Sequence, residues 1–254
     1  MDVMLSTVQR TDKIYFKRND LNEFGGCFGG KAECIYEFIK KSEVKTFVTC
    51  GSRDSLQCEI VSQMCCNLGY DCHIFTPSGQ ETLSIRRIAN SGAVLHPIDN
   101  GRIVVVKKRA SDFAKENDFT LIPFGMQTLT AISVVASQVE NIPYGIKRIV
   151  VPVGGGITMC GVMQGLVRYG RTDIEVLGVI TGGNPEKIIN AYKPKFNPIK
   201  YTLVPWEIGT PNKRYSDRVD IEVGGIKLDP VYEGKCAKFL KDYDLLWIVG
   251  YHEV

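Results

Sequence analysis

Between residues 44 and 77 the apolar and polar positions change period twice. VKTFVTCG is an apolar, β-branched run closed by a glycine, which predicts a buried strand ending in a turn. LQCEIVSQMCCNLG has the spacing of a helix and stops at Gly69, and YDCHIFTP is strand-like again. The rhythm continues with a helical SIRRIANSG, a strand AVLHPI, a basic strand RIVVVKKR, a helix through ASDFAKEND and a short strand FTLIPFG. A helical LTAISVVASQVE precedes a second unit of the same kind: strand KRIVVPV, the glycines, helix ITMCGVMQGLVRYG and strand IEVLGVIT. Residues 184 to 220, rich in Pro, Lys and Asn and without a clean period, read as surface loop with short elements. The tail reads as a helix at EGKCAKFLKDY and a last strand, LLWIVGY. Strands alternating with helices predict an α/β protein of mostly parallel sheets covered by helices on both faces.

Composition narrows this picture. The 254 residues, 44% hydrophobic and 23% charged, suit a globular chain of one or two lobes, and a formal charge of +3 is too mild to argue for nucleic acid. Nine cysteines, with no CxxC and no cysteine–histidine cluster, predict free thiols in a reducing compartment and no metal site. The opening MDVMLSTVQRTDKIYFK lacks the order of a secretory leader, and no apolar run approaches a membrane span. The expected location is the cytoplasm, or a host cytoplasm if the source is viral.

Two glycine-rich stretches carry candidate chemistry. GGCFGGKA, residues 25–32, comes close to a nucleotide-binding P-loop, with Lys31 in the lysine position. Ala32 offers no hydroxyl for magnesium, however, and the preceding YFKRNDLNEF is charged and irregular where a P-loop needs a hydrophobic strand. Alternatively, Gly25 to Gly30 form a turn before a helix and Lys31 is an ordinary basic residue. VPVGGGITMCG, residues 151–161, lies at a strand-to-helix junction, where free backbone N–H groups and the helix dipole suit a phosphate. Packing alone also makes such turns glycine-rich.

Taken together with LDPVYEGK near the other end, these stretches resemble the fold-type II pyridoxal-phosphate enzymes, in particular the branch of aminocyclopropanecarboxylate deaminase and D-cysteine desulfhydrase. KRNDLNEFGGCFGGKAECIYEFI is similar to that branch's lysine segment, VGGGITMCGVMQGL to its phosphate loop and LDPVYEGKCAKFL to its tail segment, in the same order. The resemblance implies two domains, a larger one of residues 1–41 and 138–254 and a smaller one, 42–137, inserted in it. It also implies pyridoxal 5'-phosphate as cofactor, Lys31 as Schiff-base lysine and proton carrier, and a phosphate cup of Gly154, Gly155, Gly156, Ile157 and Thr158. Glu233 matches the carboxylate at the pyridine nitrogen, and Tyr232 a tyrosine beside the substrate. An amino-acid substrate, deaminase or lyase chemistry at its α-carbon, and a homodimer complete the expectation.

The match breaks at the substrate loop, CGSRDSLQC, residues 50–58, where the branch has a QSNH-like segment. Its asparagine and histidine are absent, and the hydroxyl acting as base is Ser52 or Ser55, depending on register. Arg53 and Asp54 have a second reading as a local ion pair at a helix start. Gly30 stands where asparagine usually precedes the lysine, and the chain stops at LWIVGYHEV, where the family continues. An opened cleft and the changed residues at 53 to 56 motivate one alternative each. One is a viral DNA-hypermodification enzyme acting on an amino acid attached to a thymine base, for example by decarboxylation, with Lys107, Lys108 and Arg109 meeting phosphates. The other is a protein that holds the cofactor without turnover.

Overall fold

The computed structural model describes residues 4–99, 101–196, 198–207 and 217–250. The first elements are β1 (Val8–Thr11), β2 (Ile14–Arg18), the short pair β3 (Glu23–Phe24) and β4 (Cys27–Phe28), and helix α1 (Gly30–Ile39). β5 (Thr46–Cys50), α2 (Leu56–Leu68), β6 (Asp71–Pro77), α3 (Leu83–Asn90), β7 (Val94–Ile98), α4 (Ile103–Glu116) and β8 (Thr120–Leu121) follow. Then come α5 (Leu129–Ser137), β9 (Arg148–Val153), α6 (Ile157–Arg168), β10 (Glu175–Ile180), α7 (Glu186–Tyr192) and β11 (Tyr201–Pro205). β12 (Glu222–Val223), β13 (Ile226–Lys227), a 3-10 segment (Glu233–Phe239) and β14 (Asp244–Ile248) close the described chain.

Among the described residues two compact units form: residues 4–22 with those from 129 to 250, and those of the stretch 23–128. Helix α1, expected in the larger domain, groups with the smaller unit because it packs on α2 and on β3 and β4. Helix α5, expected in the smaller domain, groups with the larger. It packs on α6, where a Cβ on Gly161 would stand 2.5 Å from Val135 and one on Gly165 2.4 Å from Val139. Two glycines four residues apart therefore present bare backbone to one neighbour, and the helices approach closely.

In the first unit the sheet runs β1-β2-β14-β9-β10-β11, antiparallel between β1 and β2 and parallel from β2 to β11. β14 is buried along its whole length, and Phe16, Val150, Val179 and Leu246 share its core. In the second unit four parallel strands are ordered β7-β6-β5-β8, with Val48, Phe75, Val106, Ala110 and Ala114 in one core cluster. The expected α/β architecture with parallel sheets is thus observed.

Three local readings change. RIVVVKKR is not a strand: it opens α4, whose Val106, Ala110 and Ala114 recur every four residues and form one buried stripe. This stripe outweighs the β-propensity of the valines. EGKCAKFLKDY forms a 3-10 segment rather than an α-helix. YFKRNDLNEF is not irregular throughout, since its first half lies in β2, where Phe16 and Lys17 are buried. The Lys17 ammonium donates to the Ser6 carbonyl at 3.0 Å and to Asn141 Oδ1 at 2.5 Å, which explains a buried charge inside a strand. Residues 184–207 hold α7 and β11 besides loop. Asn197 and residues 208–216 of the expected loop, and Tyr251 of the expected last strand, lie outside the described residues.

All nine cysteines are free thiols, with Cys66 exposed and the other eight buried.

Candidate functional site

In the first unit β9 is a switch point. β10 and β11 extend the sheet on one side of it, while the neighbour on the other side, β14, comes from the end of the chain. Ligands of open α/β sheets bind at the carboxyl ends of such strands, and the carboxyl end of β9 runs into Gly154, Gly155 and Gly156. Gly156 caps α6 with φ +95°, a conformation L side chains rarely adopt, and a Cβ there would meet Ile189 at 3.1 Å. A Cβ at Gly155 would have nothing within 4 Å, so the rim of the loop is open. The first N–H groups of α6, from Ile157 onward, have no partner within the helix, and the helix dipole makes this end positive. Ile157 is buried, which leaves its N–H as its polar contribution, and the Thr158 hydroxyl is half-buried in the same first turn.

LDPVYEGK meets this loop. A Cβ on Gly154 would stand 3.4 Å from Tyr232 Cε1, so the Tyr232 ring lies against the glycines. The segment is shaped by Asp229, a residue without an expected role. Its buried Oδ1 accepts from the N–H groups of Val231 and Tyr232, both at 2.8 Å, and its carbonyl accepts from Gly234 N–H at 2.8 Å. An aspartate before proline at a turn is the signal that announces such a role. Gly234 is equally constrained, since a Cβ there would stand 2.2 Å from the Val219 carbonyl oxygen. The result is a fully buried Glu233. Its Oε1 accepts from Val249 N–H at 2.7 Å, just beyond β14, and its Oε2 has no hydrogen-bond partner among the described residues. Burial first, and the neighbouring Asp229 second, push this carboxyl well above the ordinary carboxylate range.

In the second unit GGCFGGKA resolves into two structures. Gly25 and Gly26, with φ +57° and +75°, are the two-residue turn joining the antiparallel β3 and β4. Gly29, φ +105°, then caps α1, and Lys31 occupies its first turn, half-buried. No parallel strand feeds these glycines, so the P-loop reading fails. Gly30 opens the helix and is buried. The Lys31 ammonium lies close enough to act on two buried thiols, Cys34 on its own helix and Cys58 in the first turn of α2, opposing the burial that raises both.

The loop before α2 also leaves a switch-point strand, because β6 and β7 lie on one side of β5 and β8 on the other. Ser55 caps α2: its Oγ accepts from Cys58 N–H at 3.3 Å. Ser52 is exposed, and its carbonyl accepts from Ser55 N–H at 3.2 Å. The alternative ion pair between Arg53 and Asp54 is not formed. The Arg53 guanidinium lies over Gly79 instead, its Nη1 at 1.8 Å from where a Cβ would stand, and Thr82 Oγ1 donates to the Arg53 carbonyl at 2.8 Å. Gln57, also without an assigned role, is buried and donates to Thr49 Oγ1 at 3.0 Å and the Pro123 carbonyl at 2.9 Å. It ties the start of α2 to the segment after β8.

Residues 5–198 match the family of pyridoxal-phosphate dependent enzymes, and the chain belongs to that family. Among curated relatives, the 1-aminocyclopropane-1-carboxylate deaminase of Cyberlindnera saturnus is 26% identical over 276 residues, covering 89% of this chain and 79% of that protein. Among solved structures, an ACC deaminase homologue superposes with a TM-score of 0.79 at 21% identity, covering 98% of this chain and 89% of that one. The processed form of threonine deaminase isoform 2 from Solanum lycopersicum gives 0.66 at 13%, covering 95% and 75%. The protein is thus a pyridoxal-phosphate-dependent enzyme of fold type II.

The described residues fit that cofactor. An open glycine loop at a helix start suits its phosphate, and the unpartnered Glu233 Oε2 suits a group that carries or takes a proton, as a pyridine nitrogen does. Among the described residues no helix is long and apolar enough to cross a membrane.

Proposed function

We propose that this enzyme cleaves a bond at the α-carbon of an amino-acid substrate in a deaminase- or lyase-type reaction. When bound, the cofactor supplies an electron sink for the negative charge left at that carbon. Lys31 would hold it through its amine and move a proton at the substrate's α-carbon. The backbone N–H groups of Gly154, Gly155, Gly156, Ile157 and Thr158, with the Thr158 hydroxyl, would hold the phosphate. Glu233 would keep a proton at the pyridine nitrogen, and Tyr232 would border the substrate. Ser52 and Ser55 are the candidate hydroxyls of the substrate loop.

The observation that carries this reading is the Glu233 carboxyl, fully buried with one oxygen held by Val249 N–H and the other unpartnered. A buried polar atom without a partner is costly, of order 1–3 kcal/mol, and a bound proton-bearing ring nitrogen removes that cost. The test is absorption spectroscopy. Protein mixed with pyridoxal phosphate should gain a visible band that borohydride fixes covalently on Lys31. Amino acids should then shift the band and release ammonia and a keto acid. An unchanged band in Lys31→Ala would sink the assignment of the lysine.

The nine free thiols support a reducing, cytoplasmic setting. A homodimer follows from the family resemblance, and light scattering at twice the chain mass is the expected result. Attachment of the substrate to a DNA base gains nothing from the basic trio. Lys107, Lys108 and Arg109 are exposed on α4, where Lys108 pairs with Asp112 four residues on, the pattern of a solvated face. Bound cofactor with no spectral response to any amino acid, free or DNA-linked, would favour holding without turnover.

A further inference from the structure

The loop from Gly51 to Ser55 has lost the residues expected of it, and it has gained a cation. Arg53 leaves the switch-point strand β5 at the sheet's carboxyl edge, where α/β proteins take their ligands. Its placement is built in three ways. Thr82 Oγ1 donates to its carbonyl, Ser55 N–H closes a turn on Ser52, and the guanidinium rests on the bare Cα of Gly79. Gly79 has φ +151°, and a Cβ there would stand 1.8 Å from Nη1, so only glycine at this position lets the guanidinium occupy its seat.

No carboxylate neutralises this cation among the described residues. Asp54 beside it is exposed and turned to solvent; Glu81, in the next loop, pairs with Arg86 at 3.0 Å; Glu59, one turn into α2, is held by Ser84 and by Arg87 at 3.3 Å. The first turns of α2 and α3, capped by Ser55 and Thr82, start at the same sheet edge and add positive potential. The candidate Lys31 lies close enough to Cys58, in that first turn of α2, to oppose the rise that burial gives its thiol. The α-carboxylate common to all amino acids needs one anion site. The N–H groups at the start of α2 can serve as that site, and Arg53, a planar fork of five donors suited to carboxylate or phosphate, would then be a second one.

We infer that Arg53 determines specificity by binding an anionic group on the substrate's side chain, a carboxylate or a phosphate, in addition to the α-carboxylate. The inference rests on the reading of this loop as the substrate side of a pyridoxal-phosphate enzyme. It deepens that reading by naming the substrate class: a small amino acid with an acidic or phosphorylated side chain.

The test compares aspartate, glutamate and phosphoserine with alanine, serine and 1-aminocyclopropane-1-carboxylate on cofactor-loaded protein. It reads the shift of the cofactor band and keto-acid release. The acidic group should be favoured, and Arg53→Gln should lower its kcat/KM relative to the neutral group by about 10- to 100-fold, with Arg53→Lys in between. In protein without cofactor, succinate should raise the melting temperature, and Arg53→Gln should abolish the rise. A uniform loss across all substrates in Arg53→Gln would overturn the inference, because Arg53 would then read the α-carboxylate. A preference for neutral amino acids untouched by Arg53→Gln would overturn it too, while leaving the proposed chemistry intact. A response to amino-acid-bearing DNA alone would overturn it in favour of a macromolecular substrate. Failure of the chemistry itself shows separately, as the absence of a band that borohydride fixes on Lys31.

Discussion

Each unit places one loop at the carboxyl end of a switch-point strand, and the two loops are built on different principles. In the first unit, the glycines after β9 and the LDPVYEGK segment rest on backbone geometry and buried groups: a positive φ at Gly156, a Gly234 that admits no Cβ, and an Asp229 turn beneath Glu233. In the second unit, the loop after β5 rests on side chains at a helix start: a serine cap, a seated arginine and an exposed serine. A loop of the first kind tolerates almost no substitution, since each change strains the chain or orphans a buried group. A loop of the second kind can exchange its chemistry and still cap its helix.

Lys31→Ala should break the comparison most severely, lowering turnover by about 10²- to 10⁴-fold, the range of a lost acid–base group, and removing borohydride trapping. Asp229→Ala strands the N–H groups of Val231 and Tyr232, and Gly234→Ala drives a methyl into the Val219 carbonyl. Each is expected to cost about 1–3 kcal/mol of stability, read by chemical denaturation, together with weaker cofactor binding. Ser55→Ala sharpens the contrast, because loss of a cap costs only about 1 kcal/mol. A drop in kcat far beyond what that instability explains would make Ser55 a base as well as a cap, and Ser52→Ala is the matched control for the exposed serine.

Glu233 gives the smallest effect and the most specific one. Its raised carboxyl pKa means that the folded chain without cofactor binds the proton more tightly than the unfolded chain. That contribution to stability is present below the unfolded carboxyl's range and is lost as pH rises through the folded value. Glu233→Gln keeps an acceptor for Val249 N–H but carries no titrating proton. Melting of the cofactor-free protein should therefore fall less steeply from pH 5 to 8 in the variant than in the parent. Equal slopes would remove Glu233 as the titrating group.

Much of this was legible in the sequence, for a physical reason. β5, β9 and β14 are buried on both faces and read as continuous apolar runs, and Gly69 ends α2 in the left-handed conformation its position demands. The glycine loop after β9 and LDPVYEGK stood out because backbone constraint leaves glycine and aspartate no substitutes. The misreadings share a cause as well. The valines of α4 carry strand propensity locally, and only the longer four-residue stripe of Val106, Ala110 and Ala114 overrides it. The hairpins at Gly25-Gly26 and Gly224-Gly225 were missed because their strands are only two residues long, although a Gly-Gly pair is the expected signal. The seat of Arg53 was illegible because it depends on Gly79, in a different loop, 26 positions along the chain.

The cysteines give the molecule a counter for its own opening. Cys66 alone is exposed, so a thiol reagent should consume one equivalent at once and the other eight only as the chain opens. Six of those eight, Cys27, Cys34, Cys50, Cys58, Cys65 and Cys72, lie in the second unit, and two, Cys160 and Cys236, in the first. A first slow phase of six equivalents would mean that the second unit yields before the first. A first phase of two would mean the reverse, and a single phase of eight would mean that the two halves open together.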